Sequence, residues 1–205
     1  MPRGKYIVIE GNDGTGKSTQ VELLATYLNE KGIDTFVAHE PGGTPIADEI
    51  RMIIKNGELN RSPETNLLLF TAARREIWRQ ARKKLEDGAW VLSARNYLST
   101  IVFQGYGEGL EVSLINETTL KFTDQLYMTP DQTIILELSK EIREKRIGQR
   151  GVLEVKDTFE SRGEDFQNKL DNGYRKLADE LSLSTIDASL SIDEIHTQIR
   201  SLISS

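Results

Sequence analysis

Eight consecutive residues constrain the fold of this chain more than any other feature. Gly11-Asn12-Asp13-Gly14-Thr15-Gly16-Lys17-Ser18 satisfies G-x-x-x-x-G-K-[ST]. It lies between a short apolar run, Lys5 to Glu10, and a stretch in which Val21, Leu24, Ala25 and Leu28 repeat at helical spacing. A strand that turns through glycines into a helix aims several backbone N–H groups and a helix N-terminus at one point, where they hold an anion. The glycines permit positive φ and close approach of the backbone. In such a loop Lys17 reaches the β- and γ-phosphates of a nucleotide and the Ser18 hydroxyl meets Mg²⁺. The candidate phosphate-binding residues are Gly11, Asn12, Asp13, Gly14, Thr15, Gly16, Lys17, Ser18 and Thr19.

Further strands are predicted at Asp34 to His39, Trp90 to Ala94, Thr133 to Leu138 and Leu183 to Asp187. Helical patterns fall near Lys17 to Lys31, Ile46 to Asn56, Glu64 to Asp87, Leu98 to Phe103, Leu114 to Tyr127, Lys140 to Gln149, Phe159 to Leu181 and Ile192 to Ile203. Strands alternating with amphipathic helices imply right-handed crossovers, hence an α/β fold with a doubly wound, five-stranded parallel sheet and helices on both faces. No repeat or linker-like shift divides the 205 residues, so one domain over 1–205 is expected, with a charged flap near 149–161. The absence of cysteine excludes thiolate metal sites and thiol redox chemistry and fits a reducing compartment. No run reaches the ~20 apolar residues of a membrane span, and the N-terminus turns polar too early for a signal peptide, which places the chain in the cytoplasm. A net charge of −6 disfavours a nucleic-acid partner.

A phosphate loop alone does not separate a GTPase, a motor and a small-molecule kinase. The chain has no Asn-Lys-x-Asp string and is short for a motor, which favours a kinase. Several strings in order then resemble thymidylate kinases. They are IEGNDGTGKST at Ile9 to Thr19, HEPGGT at His39 to Thr44, FTAAR at Phe70 to Arg74, ARNYLSTIVFQG at Ala94 to Gly105, and the late Ile186-Asp187-Ala188. The resemblance runs over nearly the whole chain. It implies phosphoryl transfer from ATP to dTMP with Mg²⁺, and a homodimer. Carried over by position, it implies that Asp13 faces the acceptor and helps organise the metal, and that Glu40 and Pro41 line the acceptor pocket. It makes Phe70 the ring that stacks on thymine and Arg74 the arginine contacting base and phosphate. Thr100 and Gln104 would offer hydrogen bonds to the base edge.

Arg51, after the Pro-Gly-Gly turn, is a candidate bidentate clamp on the acceptor phosphate. Arg95 falls at the carboxyl end of the third strand, where open parallel sheets place their ligands. On the residues alone, Phe70 also fits a core position, Arg74 a solvated face shared with Arg75, Arg79 and Arg82, and Thr100 and Gln104 a surface helix. The family carries its catalytic arginine either in the phosphate loop or in the flap. Gly14 occupies the loop position, so Arg146 and Arg150 become the catalytic candidates beside Lys17, Asp13 and Arg95. The family's usual Asp-Arg is Ala94-Arg95 here, Asn96 replaces a common aromatic or histidine, and Thr158 stands where arginine is common. Two other readings therefore stay open: a monophosphate kinase with shifted acceptor preference, or a weakly active nucleotide-binding protein.

Overall fold

A computed structural model describes residues 2–149 and 157–204. β1 (Tyr6–Glu10) is buried along its whole length because both of its faces are covered. Ile7 and Ile9 pack to one side, Tyr6 and Val8 to the other, as strand alternation requires. With β2 (Thr35–His39), β3 (Trp90–Ala94), β4 (Gln132–Glu137) and β5 (Ser184–Asp187) it forms a parallel sheet in the order β2-β3-β1-β4-β5. The register levels the strand ends, with His39 beside Ala94 and Ala94 beside Ile9. Residues leaving β1, β2 and β3 therefore emerge along one edge, next to the point where the strand order reverses.

On one face, α1 (Lys17–Glu30) and α9 (Ile192–Ser204) bring Val21, Leu24, Leu28, Ile195 and Ile199 onto Ile7, Ile9, Leu92 and Leu136. On the other, α3 (Pro63–Glu86) lays Trp78, Ala81 and Leu85 over Tyr6, Val8 and Val91. α8 (Glu164–Leu181) packs Leu170, Tyr174 and Leu177 in one cluster with Ile135. α2 (Pro45–Lys55) lies against α3, and both begin with proline behind a capping hydroxyl, Thr44 and Ser62. α4 (Tyr97–Thr100) runs on into a π-helical stretch, Ile101–Gly107, and α7 (Lys140–Gly148) follows β4. α8 meets the π-helical stretch through missing side chains. A Cβ on Gly173 would come within 2.7 Å of Tyr106, and one on Gly107 within 2.7 Å of Phe166.

All five strands fall within a residue of their predicted limits. The single helix expected over Leu114 to Tyr127 is instead two, α5 (Val112–Phe122) and α6 (Gln125–Met128). The break is made by Asp124, whose carboxylate accepts from Tyr127 N, Trp78 Nε1 and Arg82 and so caps a new helix. The helix expected from Phe159 starts at Glu164, because Asp157 Oδ1 accepts from Phe159 N and Glu160 N and holds a turn there. The segment expected from Leu98 to Phe103 extends to Gly107 with π geometry, as π-bulges at functional sites often do. Most of the expected flap, including Arg150, lies outside the described residues.

Candidate active site

The phosphate loop takes the conformation its glycines allow. Gly11, Gly14 and Gly16 have φ of 138°, 85° and 94°. A Cβ on Gly11 would stand 2.4 Å from Leu136 O, so no other residue fits there. A Cβ on Gly14 would lie 3.3 Å from Arg143 Cγ and 3.4 Å from Ile147 on α7, a tight fit on top of the positive φ. Lys17 is buried, with Nζ donating to Asn12 O at 2.7 Å. Gly14, Gly16, Lys17, Ser18 and Thr19 line a cavity of about 470 Å³, together with Asp13, Arg51 and Arg95. The side chains of Asn12 and Thr15 face away from it and serve the loop itself. Asn12 Nδ2 donates to Asp171 Oδ1, and Thr15 Oγ1 donates to Asn12 O.

Arg95 leaves β3 with φ of 76°, a left-handed conformation that costs a non-glycine residue roughly 1 kcal/mol or more. Its guanidinium is held from several directions. Nη2 donates to Asp13 Oδ1 at 2.5 Å, and Nη1 donates to Gly11 O, Ser99 Oγ and Tyr174 OH at 2.9–3.1 Å. Beneath it Glu10, fully buried, accepts from Asn96 N, Ser99 N and Ser99 Oγ. Burial pushes the Asp13 carboxyl up, but Arg95 and then Lys17 outweigh it and hold its pKa at about 2. Asp13 is thus a carboxylate at the mouth of the phosphate cavity. Ala94 is 4% exposed and lines that cavity without contributing a charge.

Next to this cavity, and sharing Asp13, Glu40, Pro41 and Arg95 with it, lies a slot of about 80 Å³. Phe70, Phe103 and Phe159 wall it, the Phe70 and Phe159 rings 6.0 Å apart. Arg74 is 1% exposed, far from the solvated face its helical neighbours suggested. Its Nε donates to Glu40 Oε2 at 3.0 Å and to Tyr127 OH at 2.8 Å, and Nη2 donates to Thr100 Oγ1 at 2.8 Å. Tyr127 OH in turn donates to Glu40 Oε1 at 2.6 Å. Burial opposes the Arg74 charge, but Tyr127 and Glu40 outweigh it and raise the pKa above the ordinary arginine value. Three side chains that line this slot each carry a buried polar atom with no hydrogen-bond partner among the described residues: Arg74 Nη1, Asn96 Nδ2 and Gln104 Oε1. Orphaned polar atoms are uncommon in folded proteins, and three on side chains lining one slot give a bound molecule groups to pair with.

The structure thus brings Asp13, Lys17, Ser18, Thr19, Glu40, Pro41, Arg51, Phe70, Arg74, Arg95, Thr100 and Gln104 to two joined cavities. Arg146 stands on the far side of the loop, with Nη2 donating to Ala188 O at 2.9 Å and Nη1 3.5 Å from Gly14 O. Asn96 lines the slot beside the aromatic rings. Its Oδ1 accepts from Leu98 N and caps α4. At Thr158 a guanidinium comes from elsewhere in the chain, since Arg61 Nη2 donates to Thr158 Oγ1 at 2.9 Å. Glu10, Tyr127, Tyr174 and Phe159 were not singled out from sequence. The one available signal was Glu10, a carboxylate ending an otherwise apolar strand.

Mg²⁺ bound with a nucleotide keeps several waters and takes one or two protein oxygens beside the phosphates. Asp13, ionised, and the Ser18 hydroxyl fit that demand, both lining the phosphate cavity. Among the described residues no cluster of three His, Cys, Asp or Glu forms a cage of its own.

The chain is similar to known proteins over nearly its whole length. Residues 9–199 match the family model described as thymidylate kinase. A thymidylate kinase of Carboxydothermus hydrogenoformans is 33% identical over 97% of this chain and 96% of its own length. One of Chlorobaculum tepidum is 38% identical over 96% and 95%. The crystal structure of thymidylate kinase from Ehrlichia chaffeensis superposes with a TM-score of 0.78 at 27% identity, each chain fully covered. The chain belongs to the thymidylate kinase family.

Proposed function

We propose that the chain transfers the γ-phosphoryl group of ATP to dTMP, giving dTDP and ADP. The observation that carries this reading is the slot beside the phosphate loop, where an aromatic wall meets unpartnered donors, Arg74 Nη1 and Asn96 Nδ2, and an unpartnered acceptor, Gln104 Oε1. A thymine ring offers the complement, a carbonyl oxygen next to an N–H. In this reading Phe70 stacks on the base, Arg51 and Arg95 hold the acceptor phosphate, and the loop from Gly11 to Thr19 cradles the donor phosphates. Lys17 and Arg95 face the transferring group, so catalysis comes from positioning and from charge stabilisation. Ser18 and Asp13 would hold Mg²⁺, which supplies neutralisation of the phosphate charge. Ala94 leaves Asp13 as the carboxylate available for this.

The proposal extends to a single kinase unit over 1–205 with a flap near 149–161. Because glycine holds the loop position, the added cation in this reading is Arg150, or Arg146 once it leaves Ala188 O. A homodimer is supported by exposed apolar residues on neighbouring helices, Leu68 on α3 and Leu114 and Phe122 on α5. A cytoplasmic site is supported by the absence of cysteine, and no helix among the described residues is long and apolar enough to cross a membrane. An ADP-release assay with ATP, Mg²⁺ and a panel of nucleoside monophosphates tests the activity. Rapid release selective for dTMP is the expected result. Release with other monophosphates but not dTMP, or nucleotide binding without release, would overturn it.

A further inference from the structure

We infer that Glu108 is a specificity-determining positioning residue, which selects the acceptor base by fixing which end of the Gln104 amide faces the slot. The inference rests on the reading of that slot as the site of the acceptor base. Gln104 is fully buried in the π-helical stretch, and Glu108 follows it by one helical turn. The Glu108 carboxylate is almost enclosed, its side chain 3% exposed. Oε1 accepts from Arg162 Nη2 at 2.5 Å and from Asn66 Nδ2 at 3.0 Å, while Oε2 accepts from Gln104 Nε2 at 3.1 Å and from Asn66 Nδ2 at 3.2 Å.

An ion-paired carboxylate only accepts, so the amide must present its NH₂ group to Glu108. The oxygen is then the end left for the slot, and it is the atom without a partner. Arg74 Nη1, also without a partner, only donates. Were the amide free to turn, it would offer the slot a donor or an acceptor with little preference. Pinned by Glu108, it offers an acceptor. The Gln104 acceptor and the Arg74 donor together match the edge of a 4-oxopyrimidine, which carries a carbonyl oxygen beside an N–H; Asn96 Nδ2, the other unpartnered polar atom on a slot-lining residue, adds a donor and no second acceptor. The edge of a 4-aminopyrimidine carries the reverse, an amino group beside a bare ring nitrogen, and would leave both protein atoms unmatched. Sites that hydrogen-bond their substrate discriminate strongly for this reason.

Glu108→Gln is nearly isosteric and can accept from Gln104 or donate to it, so the pinning is lost while the volume is kept. The ratio of kcat/KM for dTMP over dCMP is expected to fall at least tenfold, and the ratio of Kd values measured by calorimetry to fall with it. In a Gln104→Leu background the same change is expected to leave the ratio where it stands. If Glu108→Gln does not fold, Glu108→Asp keeps a charge for Arg162 while withdrawing it from Gln104, and the same drop is expected. An equal loss for both nucleotides, with the ratio unchanged in the folded variant, would show Glu108 to be scaffold and overturn the inference. So would a wild-type protein that binds dCMP as well as dTMP. A wild type that prefers dTMP in calorimetry but transfers no phosphoryl group would strike the kinase reading instead, and the calorimetric ratios of the variants would still decide the role of Glu108.

Discussion

Lys17 and Asp13 show how one loop divides its work between side chains. Lys17 Nζ donates to Asn12 O at 2.7 Å and to Thr15 Oγ1 at 3.5 Å, both within the loop, and lines the phosphate cavity, so it bears on phosphates more than on the core. Lys17→Ala is expected to lower kcat by about 10²–10³, the usual cost of removing a charge-stabilising donor. Folding stability should fall by only about 1–2 kcal/mol, for the loss of hydrogen bonds confined to the loop. Steady-state kinetics beside urea denaturation would check both. Asp13 acts in the opposite sense on stability. Its pKa drops from 3.8 to about 2 on folding, so between those values the unfolded chain binds more protons and stability rises with pH. The contribution, about 2 kcal/mol, is complete above pH 4 and lost as pH falls toward 2. In urea titrations at pH 7, 4 and 2.5, the stability difference between wild type and Asp13→Asn should shrink across the last step. A constant difference would mean that the Arg95 pair adds nothing to folding.

At the scale of elements, α6 is the part least legible from the sequence and closest to the slot's floor. Leu114 to Tyr127 keeps helical spacing throughout, so periodicity gave no sign of a break. What ends α5 is a long-range event, Asp124 meeting Trp78 and Arg82 of α3. The break turns Tyr127 inward, where its hydroxyl joins Glu40 to Arg74. Asp124→Ala should therefore do two things. Loss of the cap and of the Trp78 partner should destabilise the protein by about 1–3 kcal/mol, and the KM for dTMP should rise as Tyr127 loosens behind Arg74. Denaturation and kinetics on the same preparation would separate the two effects. The legible parts share a different physics. The strands were visible because each is a short apolar run bounded by turns, Lys17 because the loop spacing carries it, Arg95 because it ends a strand, and Glu40, Phe70 and Arg74 through the resemblance of their strings to a known family. Glu10, Tyr127, Tyr174 and Glu108 were not, because a buried polar group is defined by partners distant in the chain, such as Tyr174 OH reaching Arg95 across 79 residues.

Over the whole molecule, the strand order places β1, β2 and β3 so that three separate stretches of chain deliver the loop, Glu40 and Arg95 to one edge. α3, α6 and α8 then close on that edge from behind, which makes the slot a meeting point of most of the fold. A nucleotide bound there touches elements that would otherwise separate on unfolding. Saturating dTMP, at about 100 times its Kd, should add about 2.7 kcal/mol to global stability. The rise in melting temperature with dTMP concentration would measure this, and dCMP should give a smaller one. Arg74 Nη1 and Gln104 Oε1 extend the point beyond the test tube. If the nucleotide is what pairs with them, as proposed above, two buried polar atoms that wait for it make the unliganded chain the one that opens more often, and open chains are what proteases degrade. The amount of this protein in a cell would then follow the supply of its own substrate, through lifetime and without any regulator of its synthesis.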